Sequence, residues 1–101
     1  MQDTDITKFN ELKLEWFAKT TKFIAYDFSL KNFDSLVDFV NLILSISKEN
    51  NYFPDILIHK DFHVRIELYD KQLGSFGSKE IEFAKKIENC FIEKFENSKD
   101  E

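Results

Sequence analysis

The chain has 101 residues, the size of one ordinary domain, which leaves no room for a separate catalytic module beside its core. Hydrophobic residues make up 43% and aromatics 16%, with twelve phenylalanines, so the bulky core material that a disordered polymer lacks is present. Acids outnumber bases 19 to 14 for a net charge of −5, and Arg65 is the lone arginine, which argues against a surface that displaces counterions from nucleic-acid phosphates.

Two glycines and one proline leave little from which to make long irregular loops or Gly-rich phosphate cradles, so most of the chain is expected to be helix or strand. The single cysteine, Cys90, cannot close an internal disulfide, which fits a reducing compartment. The first dozen residues carry acids and no apolar run, so no secretory signal is expected. The most apolar stretch, Phe39 to Ile46, is far shorter than the roughly 20 residues of a membrane span. A single cytoplasmic domain over 1–101 is therefore expected, with no membrane contact, no direct nucleic-acid contact and a frayed tail at 97–101.

Thr4 or Asp5 is placed to cap a short first helix with Ile6, Phe9 and Leu12 on one face. From Leu12 to Ser29 aromatic and β-favouring residues, broken by the polar run Lys19 to Lys22, predict two strands and a hairpin. In the second of these, alternation turns Ile24 and Phe28 to the core. Asn32 is the expected N-cap of a long helix whose positions Phe33, Leu36, Val37, Val40, Ile43, Leu44 and Ser47 fall three and four apart. Phe39, Leu42 and Ile46 widen this apolar stripe, which predicts that two sides of the helix are covered, one by the sheet and one by a partner subunit.

Pro54 is expected to end that helix, because it disfavours a helical conformation at Phe53 and lacks an N–H. Ile56 and Ile58, then Phe62, Val64, Ile66 and Leu68, alternate with mostly polar residues and predict a second hairpin with one apolar face. His63, Arg65, Glu67 and Tyr69 lie on the other. A turn through Gly74 and Gly77 leads to a last helix capped near Gly77 or Ser78, with Glu80 and Glu82 where the helix dipole favours acids. Its expected core positions are Ile81, Ala84, Ile87, Phe91 and Phe95. The order α-β-β-α-β-β-α gives an α+β fold, a four-stranded antiparallel sheet with helices packed on one face.

With Trp16 early, Phe28, Leu30 and Phe33 leading into a helix that contains Phe39, Pro54 after it, the strand Val64, Ile66, Leu68, and Glu80, Phe83, Ala84, Ile87 opening the last helix, the chain resembles the pterin-4a-carbinolamine dehydratase family. The likeness runs from Trp16 to Ile92 and rests mainly on core positions. It implies dehydration of a 4a-hydroxytetrahydropterin, with one proton delivered to the leaving hydroxyl and another taken from a ring nitrogen. Imidazoles suit both tasks because they titrate near neutrality.

The chemical positions depart from that pattern. The family's catalytic His-His pair is Tyr52-Phe53 here, its later histidine falls near Lys71, and its acid before the proline is replaced by Lys48. The acid that opens the last helix is kept in character as Glu80. A phenol that titrates near ~10 is a poor base at neutral pH, and a phenyl ring transfers no proton. Family positions thus nominate Tyr52, Lys71 and Glu80 as catalytic candidates and Phe53, Pro54 and Asp55 as ligand contacts. They imply a divergent dehydratase-like protein with impaired catalysis, acting as a binding or assembly module. The alternative is a dehydratase that uses non-histidine acid and base groups.

Against these stand plainer readings. Tyr52 and Phe53 could simply seal the helix end against the sheet. Acids in a first helical turn are normally there for the dipole. His59 and His63 sit across a turn, away from Pro54, and read as a solvated sheet face. Cys90, among Ile87, Phe91 and Ile92, reads as a small buried hydrophobe. With no third and fourth ligand for the histidines, neither metal nor cofactor is expected. The expected partners are other copies of the chain, as a dimer or tetramer, a reduced pterin, and a protein partner.

Overall fold

The computed structural model of the chain describes residues 9–18 and 22–96. They form β1 (Ile24–Ser29), α1 (Phe33–Asn50), β2 (Asp55–His59), β3 (His63–Leu68) and α2 (Ser78–Phe91), the last running on into a π-helical segment (Ile92–Glu96). The sheet is antiparallel in the order β1-β3-β2, with Phe28 opposite Val64 and Ile58 on the far side of the same pair.

The α+β class stands, but among the described residues the sheet has three strands rather than four. Where the first strand was expected, Phe17 exchanges two 2.9 Å backbone hydrogen bonds with Ala25 and forms an isolated bridge. The residues before it do not extend the ladder, because the Lys13 and Leu14 N–H groups donate to the carboxylate of Glu88 at 2.8 and 3.0 Å. Of the first helix, Phe9 and Asn10 are helical, and the expected cap and Ile6 lie outside the described residues.

Asn32 caps α1 as expected, its Oδ1 accepting from Ser35 N at 2.9 Å. The helix ends before Pro54 can act: Asn51 takes the left-handed conformation (φ 50°), and Tyr52 N donates to Ser47 O at 3.1 Å. Asparagine tolerates that conformation better than most residues, so the stop signal is Asn51.

The buried face of α1 is turned from the expected one. Leu36, Phe39, Ile43, Ile46 and Ser47 are buried, so two of the widening residues are core. Phe33, Val37 and Leu44 are exposed, the first at 63% and the last at 52%, and Val40 between them is half-buried. The helix therefore has two apolar faces, one covered by the sheet and the other bare.

The core lies between the inner sheet face and the two helices. Phe28 of β1 meets Phe39 of α1 at 4.8 Å between ring centroids and Phe91 of α2 at 4.9 Å, so one strand residue joins all three elements. Ile24, Val64, Ile66 and Leu68 complete the sheet's contribution and are fully buried. In α2 the expected Ile81, Ala84, Ile87 and Phe91 are buried, Phe95 is half-buried, and Cys90 is half-buried at the rim rather than inside.

On the outer sheet face His59 and His63 are cross-strand partners with rings 5.8 Å apart, and His59 Nε2 lies 2.9 Å from Asp27 Oδ1. Arg65 pairs with Glu67 at 2.7 Å on the same face. β2 forms one edge, and its Leu57 and Ile58 are both more than half exposed.

Candidate functional site

Three chain segments meet at one end of the sheet and enclose a cleft of about 330 Å³. The exit of α1 contributes Asn51, Tyr52 and Phe53, the exit of β3 contributes Tyr69 to Gln72, and the first turn of α2 contributes Lys79 and Glu80. The left-handed turn at Asn51 and the N-terminus of α2 thus set the positions of the candidate groups.

Glu80 is the most constrained of them. It is 3% exposed, and its Oε1 accepts from Gly77 N at 2.8 Å, satisfying one of the donors at the start of α2. Its Oε2 is buried and has no hydrogen-bond partner. An unpaired buried carboxylate oxygen costs roughly 1–3 kcal/mol or more.

Tyr52 is buried, with its ring 4.9 Å from Phe83 and Lys79 Nζ 5.4 Å from its centroid. Its hydroxyl has one proton and donates it to Tyr69 O at 2.9 Å, which leaves none for Glu80 Oε2. Burial, and then the neighbouring Glu80 charge, push the phenol well above its ordinary value of 10.0. At neutral pH Tyr52 is therefore a neutral donor and not a base.

Phe53 is 59% exposed and lines the cleft, so its ring is open to a flat ligand instead of filling the space. Lys71 lines the same cleft. Pro54 and Asp55 do not line it: Asp55 opens β2, and its Oδ2 accepts from the Tyr69 hydroxyl at 3.0 Å. Lys48 is exposed in the last turn of α1 and stands outside the cleft as well. Tyr52, Lys71 and Glu80 are brought together, as is Phe53.

Asn51, Tyr69, Asp70, Gln72 and Lys79 line the cleft without having been singled out from the sequence. Each is a chain neighbour of a nominated residue or of the end of β3, which is the one signal that would have found them. Among the described residues no group of three His, Cys, Asp or Glu side chains could hold a metal ion, and no helix is long and apolar enough to cross a membrane.

The model of the family described as Pterin 4 alpha carbinolamine dehydratase matches residues 1–90. The chain belongs to this family. Its fold is shared by the crystal structure of a transcriptional coactivator/pterin dehydratase from Brucella melitensis, with a TM-score of 0.76 and 14% identity over 88% of this chain and 95% of that one. No curated protein matches the chain. Set against the family pattern, the positions of the His-His pair, the later histidine and the helix-opening acid all line the one cleft, as Tyr52, Phe53, Lys71 and Glu80.

Proposed function

We propose that this member of the pterin dehydratase family binds a reduced pterin with little or no turnover, and acts in the cytoplasm as an oligomeric binding or assembly module. One observation carries the reading: the Tyr52 hydroxyl is buried, held by Tyr69 O and shifted far from neutrality. Phe53 beside it has no proton to give. Dehydration needs an acid for the leaving hydroxyl and a base for the ring nitrogen, both titrating near the working pH. The exposed ring of Phe53 still suits a flat ring.

The oligomer is supported by the bare stripe Phe33, Val37, Leu44 on α1 and by the open apolar edge of β2. Apolar area of this kind is normally covered in a stable assembly. The Brucella protein is described as a coactivator as well as a dehydratase, which suggests that a protein partner is compatible with this fold.

A functioning dehydratase is the second reading, favoured by the convergence of Tyr52, Lys71 and Glu80 on one cleft. Calorimetric titration with 6-methyltetrahydropterin, followed by the dehydration assay on its 4a-hydroxy form, separates the two. Binding with an unchanged spontaneous rate is expected. Acceleration equal to that of a relative with the His-His-Pro triplet would overturn the impaired reading, and absence of binding would overturn the pterin-binding one.

A further inference from the structure

Lys71 and Lys79 both line the cleft, one from the exit of β3 and one from the first turn of α2. Neither is ion-paired among the described residues, although acids lie close by. Those acids are engaged elsewhere: Asp70 Oδ1 accepts from the Gln72 and Leu73 N–H groups at 2.9 and 3.0 Å, and Glu80 Oε1 caps α2. Glu80 Oε2 is buried beneath the cleft surface. The cleft thus offers an apolar face at Phe53 and two ammonium groups without an ion pair among the described residues, Lys79 lying 5.4 Å over the Tyr52 ring.

The geometry points to a ligand with an anionic group on its ring: a reduced pterin whose side chain ends in a carboxylate or phosphate, held by Lys71 and Lys79 while the ring lies against Phe53. This rests on the pterin-binding reading above. Lys71 then has a distinct role at a position where the family has histidine: it selects the ligand by charge and moves no proton. An ammonium is a compact, strongly hydrated point charge that recognises an anion without fixed geometry, so carboxylate and phosphate are both accommodated.

The test compares three probes with the same tetrahydropterin ring by calorimetry at low salt: the neutral 6-hydroxymethyl compound, its phosphate ester, and tetrahydrofolate with its carboxylated tail. At least one anionic probe is expected to bind about tenfold tighter than the neutral one, with the advantage shrinking as salt is raised. Which of the two does so tells phosphate from carboxylate. In the folded double variant Lys71→Gln, Lys79→Gln the ratio of anionic to neutral affinity should fall to about one. Equal binding of all three probes, or an advantage that survives both substitutions, overturns the charge selection and leaves the ring-binding reading intact. No binding of any probe overturns both.

Discussion

The indole of Trp16 donates through Nε1 to Oε2 of Glu88 at 3.1 Å, inside the protein, to a carboxylate with no exposed surface. The same carboxylate takes the Lys13 and Leu14 N–H groups, so one acid on α2 binds the segment that precedes β1 at three points. Among the described residues it has no cationic partner, and three donors replace its water.

Glu88→Ala leaves those donors without their acceptor and is expected to cost about 3 kcal/mol or more in urea unfolding. Because Trp16 is the only tryptophan, its fluorescence should shift to the red in the folded variant. A loss under about 1 kcal/mol with unchanged emission would mean that the carboxylate does not hold the segment.

Tyr52→Phe keeps the ring against Phe83 and removes the bond to Tyr69 O, so a loss of about 1 kcal/mol is expected near neutrality. The phenol is raised in the folded state, which means that the native protein holds this proton more tightly than the unfolded chain. The stability it contributes is complete below the unfolded value near 10.0 and is lost as pH rises above it towards the folded value. Wild-type stability should fall more steeply than that of the variant above pH 10. Parallel curves would contradict the shift.

Restoring imidazoles by Tyr52→His together with Phe53→His should raise the dehydration rate by about 100-fold over the starting protein, the usual contribution of a positioned proton-transfer group. The assay is the disappearance of the 4a-hydroxytetrahydropterin. An unchanged rate in a folded variant would show that more than these two side chains has been lost.

Val37→Glu with Leu44→Glu places charge on the bare face of α1, and Leu57→Lys does so on the edge strand β2. Light scattering after size exclusion should show a mass of more than one chain for the starting protein at micromolar concentration, and a smaller mass for at least one variant. A strict monomer before substitution removes the oligomer from the proposal.

Much of the architecture was legible in local chemistry. The Asn32 cap, the alternation of Ile24 and Phe28, the strand Val64 to Leu68 and the positions Ile81, Ala84 and Ile87 follow from the period of 2.0 or 3.6 residues that each element imposes on its own side chains. The candidate groups Tyr52, Lys71 and Glu80 came from the family resemblance, each near the end of an element whose type was clear. Two features were not legible. The early strand reduces to a bridge because Glu88, more than seventy residues away, takes the N–H groups of its approach. The core face of α1 was misread because both of its faces are apolar, and only the sheet decides which one is covered.

By itself, then, the sequence determined most of the element types and the family, because these depend on residue identity and on neighbours within a helical turn or a strand. Only the tertiary structure decided that Tyr52, Lys71 and Glu80 share a cleft, that the Tyr52 proton goes to Tyr69 O, and that Glu80 and Glu88 are buried. Burial and partnership are properties of packed surfaces that bring distant segments together. The same carboxylate side chain is a solvated charge in one setting, a three-donor anchor at Glu88 and a half-used acceptor at Glu80.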